Sequence, residues 1–220
     1  MQFTKEDAKR IVLNCAKRYE QKLLNKKLLI VYRERQDNQI YYIEVIFLER
    51  NYLHLTGLEP IDKDGKVVEG KAVNFYRKCR DNKLAVDEFQ FKEDGTTHLK
   101  LSALPTLMDI TKITKISGGY NNVRPYLYVD KVIGGVNFCL GLSKTDELYV
   151  PSSALLENIK NLTDAPSQVL AIFEKNCDDV DVYRTVKHVA KGLNLNNLNL
   201  PDKIKNMISL QDYVFKGNTE

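Results

Sequence analysis

Histidine occurs three times in this sequence of 220 residues, cysteine four times and tryptophan not at all. Each scarcity removes a class of chemistry. His54, His98 and His188 stand in no HxxxH or HxxE frame, so a metal centre would have to be assembled from distant carboxylates, and none is expected. Cys15, Cys79, Cys139 and Cys177 lie far apart with no CxxC pair, which signals neither a zinc ribbon nor a dense disulfide framework. Reduced, mostly buried thiols are expected. No window approaches the roughly 20 uncharged residues of a membrane helix, and the first ten residues mix charges without an apolar signal region, so the expectation is a soluble, cytoplasmic chain away from membranes. Neither GxGxxG nor GxxxxGK[ST] occurs, and no nucleotide cofactor is expected. Repeats and low-complexity tracts are also missing.

What is present is the composition of an ordinary globular protein, 43% hydrophobic and 28% charged, enough for one large domain with a substantial core. The formal charge of +4 is mild. Its distribution is uneven: from Met1 to Arg35 ten Lys or Arg face four acids. That stretch is either a solvated helix surface or an electrostatic footprint for an acidic partner.

Thr4 and Asp7 have the spacing of a capping box, and Ala8, Ile11, Val12, Cys15, Ala16, Tyr19 and Leu23 recur at helical period, which predicts an amphipathic helix from Lys5 to Leu24. Leu28 to Tyr32 and Ile40 to Leu48 read as strands joined by a turn at Gln36 to Gln39. Asn51 to Leu58 reads as a further short strand stopped by Gly57, and Asp62 to Gly70 as an exposed loop. Lys71 to Asp81 and Thr97 to Thr114 read as helices, the second kinked or divided by Pro105. Gly118 and Gly119 are expected to mark the change from helix to sheet. Strand candidates follow at Tyr126 to Val129, Val136 to Leu142, Leu148 to Val150 and Gln168 to Ile172, with links short enough to favour antiparallel pairing. Val180 to Leu193 is ambiguous, and Pro201 opens a last helix through Leu210.

Three segments could carry chemistry. In LHLTG, a strand would put His54 and Thr56 on one face, opposite Leu53 and Leu55. An imidazole is the common general acid or base at neutral pH, and a hydroxyl beside it can hold a phosphate. The plainer alternative is a surface histidine beside a β-favouring threonine. In PYLYVDK, Tyr126 and Tyr128 could stack on bases and Lys131 could neutralise charge on a phosphate; a half-exposed strand explains the same pattern. In YVPSSALL, Ser152 and Ser153 follow a strand that ends at proline, where hydroxyls bind phosphate or cap a turn.

NYLHLTGL, AVNFYRKCRDNKLAVDEFQF, LYVDK, NFCLGL and YVPSSALLENI run in one order over Tyr41 to Lys175. In that order they resemble the phage-associated nuclease-like domains of the barnase, EndoU, colicin and RelE superfold. The resemblance implies an α+β fold, with an N-terminal helix and a helical insert packed on a mostly antiparallel sheet. It divides one domain into a basic helix over 1–35, a nuclease-like core over 41–175 and a C-terminal extension over 176–220. It further implies RNA cleavage without a metal, with His54 as base, Lys131 as charge stabiliser, Thr56 and Ser152 as phosphate ligands and Tyr128 beside them. The expected role is that of a phage or plasmid effector with RNA as partner. The alternative is a non-catalytic inhibitor of a host defence complex, such as an anti-CRISPR protein.

Overall fold

The computed structural model describes residues 2–123, 127–180, 182–211 and 213. Helix α1 (Lys5–Lys22) starts where the capping box predicts: Asp7 N–H donates to the Thr4 hydroxyl at 3.1 Å, and Thr4 N–H donates to the Asp7 carboxylate at 3.3 Å. Of its predicted apolar stripe, Ala8, Val12, Cys15, Ala16 and Tyr19 are buried and Ile11 is half-buried. Asn25, at φ 55°, turns the chain into strand β1 (Lys26–Arg33), which pairs antiparallel with β2 (Ile40–Phe47) through the expected turn.

A helical block comes next: α2 (Glu49–Thr56), α3 (Ala72–Arg80), α4 (Thr97–Leu107) and α5 (Ile110–Ile113), with a small two-stranded sheet of β3 (Leu58–Pro60) and β4 (Phe89–Phe91). Here the strand expected over Asn51 to Leu58 is overturned. Tyr52, Leu55 and Thr56 are buried at helical spacing, and the helical period prevails over the short alternation that the leucines suggested. Pro105 lies inside α4, and the division falls after it, at Met108 and Asp109.

The second half supplies β5 (Ile116–Gly119), β6 (Lys131–Gly134), β7 (Cys139–Thr145), β8 (Leu148–Leu155), β9 (Ser167–Asn176) and β10 (Thr185–Val189), then the short α6 (Asp202–Lys205). Four strand expectations need correction, the first being that the strand expected over Val136 to Leu142 begins only at Cys139, after the turn that follows β6. Gly118 and Gly119 lie within β5, so the sheet begins before them. Residues 127–130 precede β6 without forming a strand, while Tyr126 lies outside the described residues. Pro151, Ser152 and Ser153 do not end a strand but continue β8.

The α+β class holds, but the sheet is a closed, mixed barrel of seven strands in the order β1-β2-β8-β7-β6-β5-β9, with β9 pairing back onto β1 and β10 added outside. Ten residues of β9 allow it to meet β1, β5 and β10 at once, and closure removes the exposed edges that an open sheet would leave. All neighbours are antiparallel except β2 and β8, which meet in parallel at Val45 and Tyr149. There α2 and α4 pack against β8.

The continuous apolar run of β1 follows from burial on both faces. Leu28, Ile30 and Tyr32 join the main core with α1 and the helical block, whereas Leu29 and Val31 pack outside against Tyr183, Leu195 and Ile204 of the C-terminal segment. Each fully buried aliphatic side chain contributes roughly 1.5–3 kcal/mol. Among the described residues no helix is long and apolar enough to cross a membrane.

Candidate active site: a basic cleft

Gly57 sets the geometry. It closes α2 in the left-handed conformation at φ 70°, a conformation glycine adopts without penalty. Its carbonyl accepts the Thr97 hydroxyl at 2.6 Å. A Cβ at position 57 would lie 3.0 Å from the Thr97 Cα and 3.1 Å from the Lys100 Cδ. The end of α2 therefore abuts the start of α4, and the Lys100 ammonium donates to the His54 carbonyl at 2.9 Å. A cation at a helix C-terminus is favoured by the helix dipole.

This junction forms one wall of a cleft of about 710 Å³, and β8 with residues 127–129 forms the other. Among the described residues, Arg50, Lys92 and Lys100 line it with the imidazole of His54, against a single carboxylate, Asp94. His54 is exposed on α2, facing away from Tyr52 and Leu55. Desolvation, together with the charges of Lys100 and Lys92, holds its imidazole below the ordinary histidine value. The Lys100 ammonium is pushed down to about 8, chiefly by burial and further by Lys92, with Asp94 opposing.

Ser152 enters the cleft through a β-bulge. Pro151 pairs with Leu142 and Ser153 with Gly141, leaving Ser152 as the extra residue, and a bulge re-aims a side chain out of the ladder. Its hydroxyl lies 2.7 Å from that of Ser143, which donates to the Tyr128 carbonyl at 2.9 Å. Tyr128 itself is 99% exposed at the cleft's lip. Beside it, the buried Ser153 hydroxyl has no partner.

Of the residues singled out in the sequence, the fold thus brings together His54, Tyr128 and Ser152. Thr56 points elsewhere: it is fully buried, donates to the Leu53 carbonyl at 2.7 Å and accepts Leu58 N–H at 3.1 Å. Its hydroxyl closes the helix end and faces no ligand, because two residues apart on a helix lie about 200° around its axis. Lys131 also does not line the cleft. It points inside the barrel, over the Tyr32 ring at 4.7 Å and donating to the Tyr32 hydroxyl at 3.2 Å.

The cations that do accompany His54, namely Arg50, Lys92 and Lys100, were missed. Lys92 and Lys100 bracket the polar turn EDGTTH, a visible signal, but nothing in the sequence places that turn beside α2. The expected basic face of α1 is partly neutralised within the molecule, since Arg18 and Lys22 both bind Asp109. His98 accepts Phe3 N–H and packs on Phe91, and His188 sits against Lys115; neither lines the cleft.

A family model described as phage-Barnase-EndoU-ColicinE5/D-RelE like nuclease 4 matches residues 11–191, which takes in the barrel and both walls of the cleft. No curated protein and no solved structure matches the chain.

Proposed function

The chain belongs to the phage-Barnase-EndoU-ColicinE5/D-RelE like nuclease 4 family, and we propose that it is an effector of a mobile element that binds RNA in the basic cleft and cleaves it there without a metal. One observation carries this reading: among the described residues, three cations and an imidazole face a single carboxylate in one cleft, a charge balance suited to a phosphodiester backbone.

In this reading neutral His54 accepts the proton of a ribose 2′-hydroxyl, and the freed oxygen attacks the adjacent phosphorus. Arg50 and Lys92 neutralise the charge that grows on the phosphorane oxygens. The bond to the 5′-oxygen breaks as that oxygen takes a proton from the Lys100 ammonium. The products are a 2′,3′-cyclic phosphate and a 5′-hydroxyl, so atoms and protons balance. Tyr128 offers an exposed ring for an unpaired base, and Ser152 offers a hydroxyl to a phosphate oxygen.

The test is purified protein with total RNA in EDTA: discrete fragments carrying cyclic phosphate ends are expected. Intact RNA bound in a salt-sensitive complex would replace this reading by the second one. That alternative, a non-catalytic inhibitor of a host defence complex that contains RNA, is favoured by one observation, the removal of Lys131 from the His54 cleft.

A further inference from the structure

Lys100 stands half-buried in the cleft, its ammonium held by the His54 carbonyl at 2.9 Å. Asp94, the carboxylate that shares the cleft, is engaged elsewhere: it accepts the Thr96 N–H at 2.9 Å and the Thr96 hydroxyl at 2.7 Å. Lys100 is therefore left without an ion pair among the described residues. The other ionisable groups described on its side of the cleft are Arg50 and His54 from α2 and Lys92 from the turn after β4. The wall opposite adds the hydroxyls of Tyr128, Ser152 and Ser153 but, among the described residues, no charge. Burial and a neighbouring cation both favour the uncharged form of an amine, and the Lys100 proton is accordingly lost at about 8.

An uncharged amine is a nucleophile, whereas an ammonium is not. The surroundings of Lys100 also select what it meets. Arg50 and Lys92 attract an anion into a cleft of about 710 Å³. Across from them the Ser153 hydroxyl is 4% exposed and has no partner, and a ligand spanning the cleft would satisfy it. A small molecule that joins an electrophilic carbonyl carbon to a phosphate suits all three features.

We propose that Lys100 is a modification site: in the cationic cleft that it shares with Arg50 and Lys92, its amine is acylated by a small acyl phosphate, and the modification switches the cleft off. The amine lone pair attacks the carbonyl carbon. The bond from that carbon to the phosphate oxygen breaks, its electron pair leaves with the phosphate, and the proton released by the nitrogen goes to the same phosphate. The products are the Lys100 amide and hydrogen phosphate, with no further reactant. The amide carries no charge, so it cannot protonate a leaving 5′-oxygen, and one of the three cations of the cleft is lost. The acylation does not depend on RNA being cleaved; only its consequence rests on the proposed function.

Incubation of the full chain with acetyl phosphate, followed over time by peptide mass spectrometry, tests this. At neutral pH an amine that loses its proton near 8 holds roughly a hundredfold more free base than a lysine of ordinary pKa, about 10.4. Its weaker basicity returns part of that gain, so Lys100 is expected to be acetylated about tenfold or more faster than an exposed lysine such as Lys63. Because the free amine reacts, the rate should rise with pH and level off above about 8. A neutral acetylating ester separates nucleophilicity from attraction of the phosphate. Arg50→Ala, at an exposed position, is expected to slow acetylation of Lys100 by acetyl phosphate about threefold or more, and to leave its rate with the neutral ester unchanged.

Acetylated protein, shown by circular dichroism to be folded, is expected to lose RNA cleavage and to bind RNA with a salt slope smaller by about 0.7. Acetylation of Lys100 no faster than that of Lys63, a rate still rising near the pKa of an ordinary lysine, or an unchanged acetyl phosphate rate in Arg50→Ala would overturn the proposal. Parental cleavage by the acetylated protein would overturn the switch. Preferred acetylation of Lys100 in a chain that cleaves no RNA would support the modification site and refute only the proposed chemistry of the cleft, so the two failures are separable.

Discussion

The cleft and the polar end of the barrel, around Tyr32 and Lys131, share strand β8 but collect their polar groups in different ways. Cleft cations come from the first residues of α2, the turn after β4 and the first turns of α4, places where backbone groups are free and side chains reach solvent. The groups at the polar end of the barrel come from inward positions on β1, β2 and β6, from the start of β9 and from Glu34 just after β1, where the two-residue period of a strand decides which side chain faces in. The first arrangement yields an excess of positive charge open to water. The second yields one charge of each sign, both partly desolvated. An open cation surplus suits a backbone read by charge.

The sharpest way to break this comparison is to ask which region holds the chemistry. His54→Ala is expected to reduce RNA cleavage by ~10²–10⁴, the usual range for a general base, with thermal unfolding unchanged because the side chain is exposed. If Lys131→Met abolished cleavage while His54→Ala left it at the parental rate, the chemistry would belong to the polar end of the barrel instead.

The pH profile sharpens it next. His54 must be neutral to accept a proton, so cleavage rises with pH through a value below 6.5. Lys100 must be protonated to donate one and to hold phosphate, so cleavage falls as pH rises through about 8. In Lys100→Ala the alkaline limb is expected to disappear and the remaining rate to drop by about tenfold or more; a retained limb near 8 would assign it to another group.

Gly57→Ala tests whether the cleft depends on the abutting helix ends. Left-handed backbone costs a residue with a Cβ roughly 1–2 kcal/mol, and the new carbon would crowd Thr97 and Lys100. Chemical denaturation should show that loss, together with reduced cleavage as Lys100 shifts away from His54.

The smallest expected effect concerns salt. Removing Arg50 or Lys92 by alanine should weaken RNA binding evenly across sequences and reduce the slope of log affinity against log salt by about 0.7 each, the value for a single-stranded phosphate contact.

Much of the fold was legible locally. Thr4 and Asp7 announced the start of α1, and its apolar period marked the buried face. The α2 segment was misread because eight residues with alternating leucines fit a short strand as well as two turns of helix, and only packing against α3 and α4 decides between them. That error carried Thr56 into the site, although in the helix its hydroxyl serves the backbone. Ser152 was expected at a strand end; it lines the cleft instead from a bulge within β8. Lys131 was expected beside His54 as a charge stabiliser, whereas it stands at Tyr32 inside the barrel.

The sequence by itself determined the first helix, the strand hairpin, the α+β class and the resemblance that the family match bears out, because these rest on periodicity, capping and ordered segments that adjoin in the chain. Tertiary structure alone decided that the sheet closes into a barrel, that Lys100 stands at His54 and that Lys131 stands at Tyr32. Those outcomes depend on strand register and helix docking between residues more than forty positions apart, or nearly a hundred in the case of Tyr32 and Lys131, and no local pattern encodes contacts at that separation.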